Sequence, residues 1–314
     1  MGKITPKYEN CLLSCVIVSD MHIDKKHPMP WLPKWMLKRS LSDCENAAVR
    51  QDAFIGVGDT TSRGNAVNWE MTEDCFKKHP SPADHILLAL GNHDTWNDNG
   101  YDDAINEYYR AMKIICGRDF TKQFFSQNIK GYKFIIMGSI GDVGDAPVIG
   151  EEQLLWLDKE LCEGADGGKP VFVFNHQALN GRHGLPDSFS ANPPKDVDPM
   201  EGGIGKESEA VEKLLKKHKN VFFFSGHSHM GFCSEQWKKQ NGFSNFEEED
   251  GLVMVNLPSL SCGNHSCEDN RNGDGIVMEV YSDKVLLRLR DFRTRKWMEN
   301  LAISNGKPYF EKKL

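Results

Sequence analysis

Short apolar runs alternate with stretches of helical periodicity along most of this chain, and that alternation limits the fold more than any other feature. Leu12 to Val18, Ala53 to Val57, His85 to Leu90, Tyr132 to Met137, Val171 to Phe174 and Val221 to Phe224 read as buried strands. Ser42 to Asp52, Asn65 to His79, Tyr101 to Ile115, Glu151 to Leu161 and Ser208 to His218 read as helices; in the third, Ile105, Tyr108, Tyr109 and Met112 share one side. Strands interleaved with helices predict a layered α/β architecture with much parallel pairing. The last third differs. Phe232 to Trp237, Leu252 to Leu257, Gly275 to Tyr281 and Val285 to Asp291 read as strands joined by polar turns such as Asn241-Gly242 and Asp250-Gly251, which points to antiparallel pairing.

Two stretches carry no period. Asp24 to Ser40 holds three prolines together with Trp31 and Trp35, whose ordinary role is core or lid packing, the alternative being an apolar wall over a cleft. Leu179 to Lys206 is rich in Gly and Pro and reads as a functional or a disordered loop. Glu247 to Asp250 reads as a solvated acidic turn, and Lys213, Lys216, Lys217 and Lys219 as the wet face of a helix.

The apolar runs end in chemistry. The first leads into Asp20-Met21-His22, the second into Gly58-Asp59, the third into Gly91-Asn92-His93-Asp94, the Val171 run into His176, and the Val221 run into Gly226-His227-Ser228-His229. In open α/β sheets, ligands bind in the crevice beyond the carboxyl ends of the strands, so all five clusters can face one cleft. Asp20, His22, Asp59, Asn92, His176, His227 and His229 offer oxygen and nitrogen donors suited to Mn, Fe, Zn or Ni. Seven ligands exceed what one cation needs, whereas two cations sharing a carboxylate would use them all. Such a pair, about 3.5–4 Å apart, clamps the attacking and leaving oxygens of a phosphoryl displacement. Two divalent cations outweigh two Asp charges and a bridging hydroxide, so the cleft is locally positive and suits a phosphate ester. Asp-x-His and Gly-Asp arise often by chance, but Gly-Asn-His-Asp should arise in about one chain in a thousand and Gly-His-x-His in about one in a hundred. Their ordered occurrence after apolar runs therefore carries the argument.

The pattern Asp20-x-His22, Gly58-Asp59, Gly91-Asn92-His93-Asp94, His176 and Gly226-His227-x-His229 resembles the calcineurin-like metallophosphoesterases over Val16 to Met230, and Gly58 to Gly64 matches the family's longer form with Arg63 and Gly64. The resemblance implies a four-layer αββα sandwich of two mixed sheets flanked by helices. It implies one domain over 1–314, with C-terminal antiparallel strands at about 232–298 completing the second sheet. It also implies that Asp20, His22 and His229 hold a first metal ion, that Asp59 bridges, and that Asn92, His176 and His227 hold a second. His93 is then implied as the general acid, with Asp94 orienting its imidazole, and a metal-bridging hydroxide as the nucleophile in hydrolysis of a phosphomonoester or phosphodiester. An alkoxide leaving group needs a proton, which a cationic His beside a carboxylate can deliver. Arg63, Arg182 and His183 are candidate substrate contacts, each with a solvated-loop role as the blander reading.

Composition bounds the alternatives. A net charge of −7 disfavours extended nucleic-acid binding and counts against a nuclease. A non-catalytic protein-interaction platform on the same fold would be expected to have lost ligands, and this chain keeps all seven. No apolar run approaches the roughly 20 residues that span a bilayer, so no membrane partner is expected. Nine scattered cysteines read as free thiols in a reducing compartment, which points to the cytoplasm. Cys262, His265 and Cys267 make only three ligands of a metal knuckle, with no second Cys pair.

Overall fold

The computed structural model describes residues 2–185, 202–264 and 271–314. The first half of the chain supplies β1 (Leu13–Val18), α1 (Trp31–Glu45), β2 (Ala53–Val57), α2 (Ala66–Lys78), β3 (His85–Ala89), α3 (Asn92–Thr95) and α4 (Tyr101–Cys116). There follow β4 (Phe125–Ile129), β5 (Tyr132–Ile136), β6 (Asp142–Val143), β7 (Ala146–Pro147), α5 (Gly150–Gly164) and β8 (Val171–Phe174). The remainder is α6 (Ser208–Leu215), β9 (Val221–Ser225), α7 (Glu235–Asn241), β10 (Phe246–Glu249), β11 (Leu252–Asn256), β12 (Asp274–Val280), β13 (Lys284–Asp291), β14 (Lys296–Trp297) and β15 (Tyr309–Lys313).

Two sheets carry the site. The first runs β14-β13-β12-β1-β2-β3, with β15 also on β13; β1, β2 and β3 are parallel, with Val16 opposite Phe54 and Ile55 opposite Leu87. The second runs β10-β11-β9-β8-β5-β4, parallel from β11 to β5 and antiparallel at both edges. Alternation along the strands sorts side chains into three apolar layers. Leu13, Cys15 and Ile17 face inward with Phe134, Phe172, Phe222, Val253 and Leu287, filling the space between the sheets. Val16 and Val18 face out against Met36, Leu41, Trp69 and Tyr108 of α1, α2 and α4. Val173 and Phe223 face the other way, against Leu157, Leu161, Val211 and Leu215 of α5 and α6. Helix, sheet, sheet, helix is the four-layer arrangement that was expected.

Several local expectations are corrected. The C-terminal strands do not all complete the second sheet: β12, β13 and β14 join the first, and β11 runs parallel to β9. The reason is an open edge. With β2 on one side, the fully buried β1 leaves its other row of backbone groups unpaired until β12 docks there antiparallel, Ile17 opposite Ile276. Residues 232–237 are not a strand, because Ser234 caps α7 by accepting from the Trp237 amide at 3.1 Å, and Gly242 at φ 82° ends it. The supposed acidic turn at Glu247 is edge strand β10. A helix expected from Ser42 begins instead at Trp31, with Pro33 in its first turn, where a missing N–H costs nothing. Trp31 and Trp35 lie on its exposed side. Cys233 is disulfide-bonded, so the nine cysteines are not all free; Cys11, Cys15, Cys44, Cys75, Cys116, Cys162 and Cys262 are. His265 and Cys267 of the possible knuckle, and residues 186–201 of the long loop, lie outside the described residues. Among the described residues, no helix is long and apolar enough to cross a membrane.

Candidate metal centre

Parallel pairing sends the ends of β1, β2 and β3 to one edge of the first sheet, and the ends of β8 and β9 to one edge of the second. Each strand stops where its polar motif starts, and the five ends meet. Five of the seven candidate ligands then turn through the left-handed region: Asp20 at φ 54°, His22 at 44°, Asp59 at 47°, His227 at 66° and His229 at 49°. Such conformations are costly outside glycine and concentrate at functional sites. They are held here by the His22 amide on the Asp59 carbonyl at 2.9 Å, the Ile23 amide on Thr60 at 3.0 Å, and the Ser259 hydroxyl on the Asp20 carbonyl at 2.9 Å. Glycine makes the crowding possible. A Cβ on Gly91 would strike Asp59 Oδ1, and one on Gly226 would strike Ser19 Oγ and Asp20 Oδ2.

Two overlapping donor sets result. Asp20, His22, Asp59 and His229 place one donor atom each within 4.8 Å of one another, and so do Asp59, His176 and His227; Asp59 belongs to both. In the first set, His22 Nε2 and His229 Nε2 are 3.1 Å apart, Asp20 Oδ1 is 2.9 Å from His229 Nε2, and Asp59 Oδ2 is 3.5 Å from His22 Nε2. In the second, Asp59 Oδ2 is 3.1 Å from His176 Nε2, and the His176 and His227 rings meet edge-on at 5.0 Å. His176 Nδ1–H donates to the Val57 carbonyl at 2.8 Å, which leaves Nε2 turned inward. Asn92 Nδ2 donates to Asp145 Oδ1 at 3.2 Å, and the buried Asn92 Oδ1 has no hydrogen-bond partner among the described residues.

The electrostatics fit a cation better than a proton. Burial opposes the Asp20 carboxylate, yet His229 and His176 hold it well below the usual range. Burial also opposes a charged His176, but Asp59 and Asp20 hold its imidazolium up to about 10. Burial and neighbouring His176 push His227 down to about 3. Imidazolium charge, favoured at His176 and His22 and opposed at His227, thus answers the buried carboxylates on which these rings converge, a role that a divalent cation fills more completely. The donors present, carboxylate, imidazole and amide oxygen, are those such a cation takes.

His93 stands beside both sets. Its amide donates to Asp59 Oδ1 at 2.9 Å, its ring meets His22 edge-on at 4.7 Å, and Trp96 packs on it at 4.1 Å. Asp94 does not orient it. Successive side chains in α3 diverge by about 100°, so His93 Nδ1 points to the Ser62 carbonyl at 3.1 Å instead. Asp94, fully buried, accepts from the amides of Thr60, Thr61 and Gly91 at 3.1, 2.8 and 3.0 Å and so clamps the Asp59 loop to the β3 loop. Burial and Asp59 push its carboxyl up to about 6. Burial lowers His93, against the pull of Asp59.

The three candidate substrate contacts are occupied elsewhere. Arg182 pairs with Glu212 and, at 2.6 Å, with Glu249. Buried His183 meets the Ser244 carbonyl at 2.8 Å. Exposed Arg63 pairs with Asp98 at 3.2 Å. Three groups were missed. Asp145 follows Gly144 in the turn between β6 and β7, a Gly-Asp pair like Gly58-Asp59 but with no long apolar run directly before it. The Ser62 carbonyl has no signature in sequence. Cys262 was weighed only as part of a knuckle; burial and the Asp20 and Asp59 carboxylates push its thiol up to about 12.

Residues 13–231, more than half of the chain, match the calcineurin-like phosphoesterase family. The chain belongs to that family. The fold is similar to that of a dimetal phosphatase from Danio rerio, with a TM-score of 0.57 and 14% identity over 90% of this chain and 97% of that one. It is also similar to purple acid phosphatase PPD1 from yellow lupin (Lupinus luteus) seeds, with a TM-score of 0.56 and 15% identity over 91% of this chain and 52% of that one. Comparison with curated protein sequences finds no match.

Proposed function

We propose that this chain is a two-metal phosphoesterase that hydrolyses phosphomonoesters or phosphodiesters. One observation carries the reading: two sets of donors that overlap at a single carboxylate, Asp59. Asp20, His22 and His229 would hold one cation, Asn92, His176 and His227 the other, and Asp59 both. Asn92 Oδ1, without a hydrogen-bond partner among the described residues and with its amide held by Asp145, supports its place as a ligand. Cations bound there supply Lewis-acid activation of water and of the phosphoryl oxygens. The chain's own residues do the rest. Val57 and Asp145 keep His176 and Asn92 facing inward. The Ser62 carbonyl accepts from His93 Nδ1–H, so the leaving oxygen would be protonated from Nε2; the negative charge of a bound phosphate favours the imidazolium that this requires. Because the ligands run from Asp20 to His229, the chain works as one unit rather than two.

The test is to load the purified protein with Mn or Fe, measure metal content, and assay p-nitrophenyl phosphate and its bis ester. Two metal ions per chain and metal-dependent turnover of either ester are expected. A chain that binds fewer than two, or binds two and turns over neither, overturns the proposal.

A further inference from the structure

The first donor set has a neighbour that the seven-ligand reading leaves out. The Cys262 Sγ and the ring nitrogens of His22 and His229 all lie within 4.8 Å of one another. The carboxylates of Asp20 and Asp59 form a further set with the same two histidines. The segment that carries the thiol is braced on the ligand loop itself. Ser259 donates to the Asp20 carbonyl at 2.9 Å, Ser261 donates to the Met21 carbonyl, and the Cys262 amide donates to Ser259 Oγ at 2.9 Å. Metal–sulfur and metal–nitrogen bonds of about 2.3 and 2.0 Å put S and N roughly 3.5 Å apart across a tetrahedral cation and roughly 4.3 Å apart in opposite positions. Both spans fit inside the observed limit.

Resting on the two-cation reading above, we infer that Cys262 is a further ligand of the first cation, a thiolate that makes this position favour zinc or iron(II) over manganese. Thiolate is a soft donor, and manganese prefers carboxylate, carbonyl and water. The second set, among the described residues, contains no sulfur. As the cation binds, the sulfur gives its proton to solvent and its lone pair to the metal. The two positions then differ in kind, and a mixed pair of metals follows.

Cobalt(II) reports a thiolate ligand by a near-ultraviolet charge-transfer band that oxygen and nitrogen donors do not give. Cys162 needs a control, because its Sγ lies 3.7 Å from His218 Nε2, within reach of Asp158. Wild type with two cobalt ions should show the band, Cys162→Ser should keep it, and Cys262→Ser should lose it while still binding two ions. The preference for zinc over manganese should fall about tenfold or more in Cys262→Ser. A band absent from two-cobalt wild type, lost in Cys162→Ser or surviving in Cys262→Ser overturns the inference. Wild type binding fewer than two ions overturns the two-cation reading instead. If Cys262→Ser does not fold, wild type and Cys162→Ser still decide.

Discussion

The two donor sets differ in charge and in what stands behind them. The first pairs two imidazoles with Asp20 as well as Asp59, while the second pairs two imidazoles with Asp59 alone, the neutral Asn92 amide being its proposed further ligand. Each set also straddles the sandwich: Asp20, His22 and Asn92 follow strands of the first sheet, and His176, His227 and His229 follow strands of the second. The site is therefore a property of the contact between sheets, and its two halves are unequal. A cation in the first position meets more negative charge and should be held more tightly.

The largest break in that comparison is at the shared residue. Asp59→Asn removes a charge from both sets and should leave no more than one tightly held cation, with turnover down by about 10³-fold or more. Metal analysis beside steady-state assay checks it, and full metal content with normal turnover would show that Asp59 is not the bridge.

Removing cations one at a time sharpens the inequality. Graded chelation should strip the second position first, so that content passes through one metal ion per chain, and His176→Ala should bind one from the start. At neutral pH the second position must also displace a proton. Asp59 and Asp20 hold the cation-free His176 imidazolium up to about 10, so filling that position at pH 7 should add a proton release to that of the first position in wild type, and His176→Ala should lack the added part. Calorimetry in buffers of different ionisation enthalpy measures this. Simultaneous loss of both cations would contradict the ranking.

His93 lies outside both sets, so its loss should spare metal content. His93→Ala should lower turnover of an alkyl phosphate by about 10²–10⁴-fold, and of an aryl phosphate by much less, because a phenolate leaves without protonation. Equal losses on both would remove the general-acid role.

What was readable in the sequence follows the same division. Strands β2 and β8 appear at the expected residues because a buried run bounded by polar motifs is a local signal. The seven candidate donors stood out for the same reason, since each follows a strand. The groups that orient Asn92 and His93 did not. Ser62 acts through its carbonyl, and the partner of Asn92 is 53 residues away. Helix α1 was obscured because prolines break the helical pattern wherever they stand, and only the structure shows Pro33 in the first turn, where it does no harm. The strand misread at 232–237 was decided by a cap at Ser234, which outweighed the apolar start of the segment.

Arg182 gives the smallest effect and the sharpest contrast with the metal ligands. It follows His176 closely in sequence and looked suited to a phosphate oxygen, but its guanidinium pairs with Glu212 and Glu249, 30 and 67 residues further on. Those pairs join the loop after β8 to α6 and to edge strand β10, and they are partly solvated, so they are worth at most about 1 kcal/mol. Arg182→Ala should therefore lower the thermal midpoint slightly and leave kcat/KM within about twofold of wild type. A rise in KM of tenfold or more at unchanged stability would return Arg182 to the substrate and require the loop after His176 to turn its side chain away from both carboxylates.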